Sequence, residues 1–345
     1  MIFYAGNILS KHGNTPTFIE TLAPKIARHY KIKLVSDKKE KLFRLWDMVK
    51  SLLKNKKEIE LVLIDSYSMK AFWYTYILAC LCKQYKISYI PILRGGGYPS
   101  RLKKSPVLCR FILTNSAKNI SPSLYLKEYF KDAGYEVEYI PNFIPIKNYE
   151  FTQRKFVRPK LLWVRSFDAI YNPLLAIEIL SKLKNKYPDA ELCMVGPDKD
   201  GSLQKVIDKA NELKVTSSLK LTGKLSKKDW LMLSKQYNIF INTTNFDNHP
   251  VSVIEAMAVG LPVVTTNVGG LPYLIEDRTD GILVPPCDPD KFVEEIDCLI
   301  SDSELVMNIT TNARKKAEEF DWKFVEKKWF TTIDSLVTNL SKREN

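Results

Sequence analysis

Residues 237–266, YNIFINTTNFDNHPVSVIEAMAVGLPVVTT, contain a strand, a helix and a second strand in the space of thirty positions. The apolar run Tyr237 to Asn242 reads as a buried strand, and the polar residues after it as a loop. A helix is predicted from near Pro250 to Gly260, with proline at its start and glycine at its end. Pro262–Thr265 then resumes as a strand. Short strands without a polar face, alternating with helices, belong to a parallel sheet covered on both sides.

The same alternation continues outward in both directions. Behind the quoted segment, strands are predicted at Lys160–Val164, Glu191–Val195 and Leu219–Leu221, and ahead of it at Gly281–Val284. Asn172–Pro173 and Ser226, with Asp229 three residues on, read as helix starts. Toward the N-terminus the strands fall at Met1–Tyr4, Lys31–Val35, Glu60–Asp65, Ile87–Leu93, Phe111–Thr114 and Glu136–Ile140. Thr15–Pro16 and Ser121–Pro122 look like further helix starts, and Gly134 like a helix end. The stretch Asn142 to Pro159 loses periodicity and reads as a linker. A chain of 345 residues accommodates two such α/β domains. They are expected at 1–145 and 160–320, with a helical tail at 321–345 that packs back on the first. Two tandem Rossmann-like domains would face each other across a cleft at the carboxyl ends of their strands, where such folds bind ligands.

Composition excludes several classes. No apolar run reaches the roughly 20 residues of a membrane span; Ala71 to Cys82 is long enough only for a buried helix. The N-terminus lacks the basic start and cleavage site of a signal peptide. Six cysteines without a CxxC pair and three scattered histidines predict reduced thiols, no metal and a cytoplasmic setting. Neither the GxGxxG fingerprint nor a P-loop is present. Charge is divided unequally: residues 1–150 hold 25 basic and 12 acidic side chains, whereas the rest hold 27 of each. The basic half would attract an anionic partner, a membrane surface or a lipid diphosphate; a merely solubilising surface is the alternative.

The helix opening at Pro250, Val251 and Ser252 offers free N–H groups and a positive dipole end, a natural seat for a diphosphate. Asp247 precedes that end and Glu255 lies eight residues further on. A carboxylate at the second position suits ribose hydroxyls, and the first would face a donor sugar. Asp247 as a helix cap and Glu255 as a structural residue are the plainer reading.

This segment resembles the family 4 glycosyltransferases, retaining enzymes of the GT-B fold, whose second domain carries the pattern E-G-x-P-x4-E-A. Asp247, Pro250, Glu255 and Ala256 match it in register, with Asp247 for the first glutamate and Asn248 for glycine. The run from Gly269 to Ile275 and the run Asp280 to Pro286 are also similar, so the likeness is strong over Leu161–Phe292 and weak before it. The resemblance implies a nucleotide-diphosphate sugar as donor and a glycan or lipid-linked acceptor. It also implies metal-independent transfer without a cofactor and a role in cell-surface polysaccharide synthesis. Arg165, after the strand Leu161–Val164, corresponds to the arginine that grips the diphosphate, a geometry guanidinium suits. The lysine that usually follows it is missing, and Lys224 is the candidate substitute. In the first domain the resemblance points to one loop for the acceptor, His12, Gly13 and Asn14 after the first strand. Arg94, Gly95 and Gly96 after the fourth form a second candidate, because glycines after a buried strand permit a close approach and the flanking arginines suit an anionic group; an ordinary turn is the alternative for both. A nucleotide-sugar epimerase, or another enzyme on the same fold, is the nearest alternative. A basic nucleic-acid-binding protein is a more distant one, for which no recognisable motif speaks.

Overall fold

Among the described residues every strand is parallel to its neighbours, and the strands build two separate six-stranded sheets. The structure, a computed structural model, describes residues 1–12 and 16–337. Contacts divide it into one unit made of Met1–Pro141 with the chain from Glu326 on, and another made of Asn142–Val325.

In the first unit the strands are β1 (Ile2–Ala5), β2 (Ile32–Val35), β3 (Leu61–Ser66), β4 (Ser88–Leu93), β5 (Ile120–Ser121) and β6 (Glu138–Tyr139). Helices α1 (Phe18–Ile26), α2 (Lys41–Asn55), α3 (Phe72–Tyr85), α4 (Tyr98–Lys104), α5 (Pro106–Asn115) and α6 (Leu124–Asp132) connect them. The order across the sheet is β2-β1-β3-β4-β5-β6. The chain therefore reverses its direction of travel between β1 and β3, the place where open α/β sheets form their binding crevice.

Three sequence expectations are corrected here. Phe111–Thr114, expected as a strand, lies inside α5, which Pro106 opens at its first turn. The fifth strand is instead Ile120–Ser121, so the next helix is capped by Ser123, whose hydroxyl accepts from Leu126 N. The first helix is capped by Thr17 in a capping box with Glu20; Thr15 lies outside the described residues. Gly134 does adopt the left-handed conformation, φ +82°, just past α6.

The second unit contains β7 (Lys160–Val164), β8 (Glu191–Val195), β9 (Leu219–Gly223), β10 (Ile239–Asn242), β11 (Val263–Thr266) and β12 (Ile282–Val284). Its helices are α7 (Pro173–Lys186), α8 (Ser202–Glu212), α9 (Lys227–Ser234), α10 (Val251–Ala258), α11 (Leu271–Leu274), α12 (Pro289–Ser301) and α13 (Ser303–Glu318). The order β12-β11-β10-β7-β8-β9 is that of the doubly wound nucleotide-binding sheet, and the reversal falls between β7 and β10. Successive strand residues enter opposite cores: Leu161 and Trp163 pack with α7 residues Ile177 and Leu180. Leu162 between them packs with Ile254 and Met257 of α10. With both faces covered, the inner strands β7, β8, β10 and β11 are mostly apolar, whereas the edge strand β9 carries the exposed Lys220.

The segment Asn142 to Pro159 belongs to the second unit, with Ile144, Tyr149 and Val157 buried. Helix α14 (Trp322–Asp334) begins in the second unit and continues into the first. There Trp329 and Ile333 are fully buried, Phe330 meets the His29 ring edge-on at 4.5 Å, and Asp334 accepts from the Tyr30 hydroxyl at 2.5 Å.

Candidate active site

Arg165 and Asp247 are 82 positions apart in the chain, yet the guanidinium Nη2 of one donates to the carboxylate of the other. Arg165 follows β7 and Asp247 follows β10, so the pair straddles the reversal point of the second sheet. Backbone geometry holds each partner there. A Cβ on Gly196 would lie 1.7 Å from Arg165 O, and one on Gly269 would lie 2.2 Å from Asp247 O. Only glycine permits either approach. Gly270 N donates to the same Asp247 carbonyl at 2.8 Å.

Asp247 does not cap α10. Pro250 is the N-cap, and Asp247 Oδ1 accepts from Asn248 N at 2.8 Å instead. The Arg165 side chain lies over the Tyr171 ring at 4.8 Å. Burial lowers its pKa, opposed by the charges of Tyr171 and Glu255; a guanidinium stays protonated regardless. Arg165 Nε and Ser252 Oγ, in the first turn of α10, are buried without a hydrogen-bond partner in the protein. Two unsatisfied donors at a helix N-terminus suit an anion, because leaving a buried donor unpaired is costly.

Glu255 lies on α10 with only 4% of its surface exposed. Its Oε1 accepts from the Tyr149 hydroxyl at 2.7 Å and is paired with Lys227 Nζ at the start of α9. Burial and the Glu255 charge push the Tyr149 phenol well above its ordinary pKa. Both partners escaped the sequence reading, which placed Tyr149 in a linker and passed over Lys227. Lys224 sits exposed just beyond β9.

The far end of α10 is fixed by two arginines. Arg154 donates to Val259 O and Gly260 O at 2.9 and 2.7 Å, and Arg314 to Ala258 O at 2.7 Å. Cations on the last carbonyls complement the dipole whose positive end lies at Ser252. His249, within the matched pattern, faces Asn142 through Nδ1 at 3.2 Å and packs against Phe320.

In the first unit, Asp65 is the penultimate residue of β3, beside the reversal point, and is buried. Tyr4 of β1 donates to its Oδ1 at 3.0 Å, and a Cβ on Gly6 would lie 2.9 Å from its Oδ2, which has no partner. Burial raises the Asp65 pKa to about 6, against the Arg94 charge and hydrogen bonds from Tyr4 and Ile19 N that lower it. Arg94 leaves β4 with its guanidinium 3.9 Å from the Phe18 ring centroid. The space left by the missing side chains of Gly95 and Gly97 is taken by Ser68: a Cβ would meet Ser68 N at 2.5 Å and Ser68 Oγ at 2.8 Å respectively. Gly96 is half-buried between them in the same turn. His12 bonds through Nε2 to Asp37 O at 2.8 Å. Gly13 and Asn14 lie outside the described residues. Asp65 was not singled out from the sequence, although an acid closing an apolar strand is a visible signal.

Residues 149–316 match the model of the glycosyl transferases group 1. The second unit is a group 1 glycosyl transferase domain. This transferase domain encloses the Leu161–Phe292 stretch whose motifs suggested family 4. The chain is 25% identical over 167 residues to the D-inositol 3-phosphate glycosyltransferase of Corynebacterium kroppenstedtii. That match covers 47% of this chain and 37% of the relative, so the chain spans well under half the length of that curated protein. Two solved structures extend the likeness beyond the transferase domain at the level of fold. HepE of Anabaena in complex with UDP superposes with a TM-score of 0.77 over 97% of this chain and all of its own, at 16% identity. Sucrose-phosphate synthase of Thermosynechococcus elongatus gives 0.80, covering 97% and 98%, also at 16% identity. The fold is the GT-B fold of two Rossmann-like domains. Among the described residues no helix is long and apolar enough to cross a membrane, and no group of His, Cys, Asp and Glu is placed to hold a metal ion.

Proposed function

We propose that the chain is a retaining glycosyltransferase of cell-surface polysaccharide synthesis, taking a sugar from a nucleotide-diphosphate donor to a glycan or lipid-linked acceptor at the cytoplasmic face of the membrane. The observation that carries this is the Arg165–Asp247 pair at the β7/β10 reversal, beside the N-terminus of α10. The donor diphosphate is assigned to Arg165, the Ser252 hydroxyl and the backbone N–H groups of Val251 and Ser252, which follow the N-cap Pro250. Lys224, just beyond β9, and Lys227, at the start of α9, are the cations for its remaining charge. Glu255, steadied by Tyr149 and Lys227, takes the ribose hydroxyls, and Asp247 takes the sugar. In the first unit, Arg94 with Gly95 and Gly96, and the loop of His12, Gly13 and Asn14, are assigned to the acceptor.

In the reaction the bond from the anomeric carbon to the diphosphate oxygen breaks, and the acceptor oxygen bonds to that carbon on the same face. The acceptor proton passes to the departing diphosphate. Arg165 and the α10 N-terminus stabilise the negative charge that grows on the leaving group, an electrostatic role in a preorganised site. Asp247 stabilises positive charge at the anomeric carbon. No side chain is required as a covalent nucleophile.

Thermal unfolding with UDP, GDP, ADP and TDP in turn tests the donor site. A ligand that binds only the native state raises its stability. One of the four is expected to raise the melting temperature, UDP first given its presence in HepE, and Arg165→Ala to abolish the rise. No rise with any of them would overturn the donor assignment. Retention is checked separately, by the anomeric configuration of the first product in proton NMR.

A further inference from the structure

The outward face of α2 is apolar where a surface helix is ordinarily charged. Its inward face buries Arg44, Met48 and Leu52. On the other side Leu42, Phe43 and Trp46 are 82%, 66% and 60% exposed. At 100° per residue these three fall on one arc with Lys50 and the half-buried Leu53. Lys50 Nζ sits 4.5 Å over the Trp46 ring. The start of α3 adds to the same side of the unit: the Tyr74 hydroxyl donates to Lys41 O at 3.1 Å, and nearby Met69 and Trp73 are exposed.

A basic collar surrounds this patch. Between positions 38 and 57 the chain carries eight basic and two acidic residues. Arg44 is turned inward, bonded to Lys38 O, Lys39 O and Asn7 Oδ1, which fastens the turn ahead of α2. Lys38, Lys39, Lys41, Lys50, Lys54 and Lys57 remain at the surface.

We infer that this face of α2 docks on an anionic phospholipid surface, Leu42, Phe43 and Trp46 entering the headgroup boundary and the lysines meeting the phosphates. Tryptophan and phenylalanine flanked by snorkelling lysines are the composition of an interfacial helix. The excess of positive charge in residues 1–150 has the sign that such a surface requires. This deepens the lipid-linked arm of the acceptor reading, but it does not depend on the donor chemistry.

The test is co-sedimentation of the full chain with vesicles of phosphatidylglycerol and phosphatidylcholine, or of phosphatidylcholine alone, at low and high salt. Wild-type protein is expected to sediment with the anionic vesicles at low salt and to be released by high salt. Each lysine near the surface contributes about fivefold, so K39E/K41E/K50E is expected to lose roughly a hundredfold in partitioning. L42S/F43S/W46S changes only exposed side chains and is expected to lose at least tenfold while keeping its melting temperature and its nucleotide-induced shift. The inference is overturned by absence of sedimentation with anionic vesicles at low salt, by equal binding to both vesicle types, or by wild-type binding in the triple serine variant. Sedimentation velocity without vesicles supplies the other check. A wild-type dimer that L42S/F43S/W46S converts to monomer would assign the patch to a second copy of the chain and overturn the lipid proposal. No donor is present in either assay, so neither outcome bears on the glycosyl-transfer reading.

Discussion

The two units have the same kind of sheet, but they place opposite chemistry at their reversal points. In the second, Arg165 and Asp247 form a charged pair between β7 and β10. In the first, Tyr4 and Asp65 meet between β1 and β3, and the carboxyl is pushed toward its neutral form. A charged pair fits a constant anionic ligand such as a diphosphate. A buried carboxyl that titrates near neutrality fits a hydroxyl-bearing ligand, to which it can donate or accept. Arg94 is the cation that acts on this carboxyl, while eight further basic residues of the unit are gathered on α2 and its flanks.

Asp247→Asn is the most direct way to break the comparison. If Asp247 serves the sugar, the substitution lowers kcat by about 2–4 kcal/mol of transition-state stabilisation, the scale for losing one key polar group, and leaves nucleotide affinity nearly unchanged. Steady-state kinetics with turnover within a few-fold of wild type would reduce Asp247 to a partner that orients Arg165.

The Asp65 contrast is sharpened by pH. Its native pKa of about 6 lies above the unfolded value, so between roughly pH 4 and 6 the native state binds more protons. Its contribution to stability is therefore greatest at low pH and falls as pH rises through about 6, by on the order of 3 kcal/mol. Glu20, Asp200 and Asp297 have lowered pKa values and act in the opposite direction. The observable is thus the difference between wild type and Asp65→Asn in denaturant unfolding at several pH values. A difference that does not change with pH would remove the contrast between the two units.

Glu255 gives the smallest effect. Glu255→Ala leaves the buried Tyr149 hydroxyl without its acceptor, a loss of about 1–3 kcal/mol, whereas Glu255→Gln retains one. Calorimetry is expected to rank nucleotide affinity wild type, then Gln, then Ala. Equal affinity in all three would leave Glu255 a structural residue only.

Much of this was legible in the sequence because buried parallel strands announce themselves as apolar runs. All six strands of the second unit were placed to within two residues, and Asn172 and Ser226 do stand at the N-cap positions of their helices, Ser226 with a hydroxyl that accepts from Asp229 N. Phe111–Thr114 misled because a four-residue apolar run fits the inward face of a helix equally well, and Pro106 was the overlooked sign. Ile120–Ser121 is too short to show any period. Asp247, Glu255 and Arg165 were legible because a strand end and a helix start fix their surroundings locally. Tyr149 and Lys227 were not, since they reach Glu255 across 106 and 28 positions, a distance that no local pattern encodes. The linker reading of Asn142–Pro159 failed for the same reason: its order comes from partners far along the chain, such as Arg314, which donates to Tyr149 O.

Helix α14 has a consequence for the order in which the protein is made. The first unit consists of two stretches of chain with the whole second unit between them, and its second stretch brings in the buried Trp329 and Ile333. During synthesis at ~5–20 residues per second, the nascent first unit waits on the order of 10–40 seconds for those residues to leave the ribosome. The second unit has by then emerged in full. The part of the protein that is translated first is thus the last to be completed, and until then the surface that Trp329 will cover is open to chaperones.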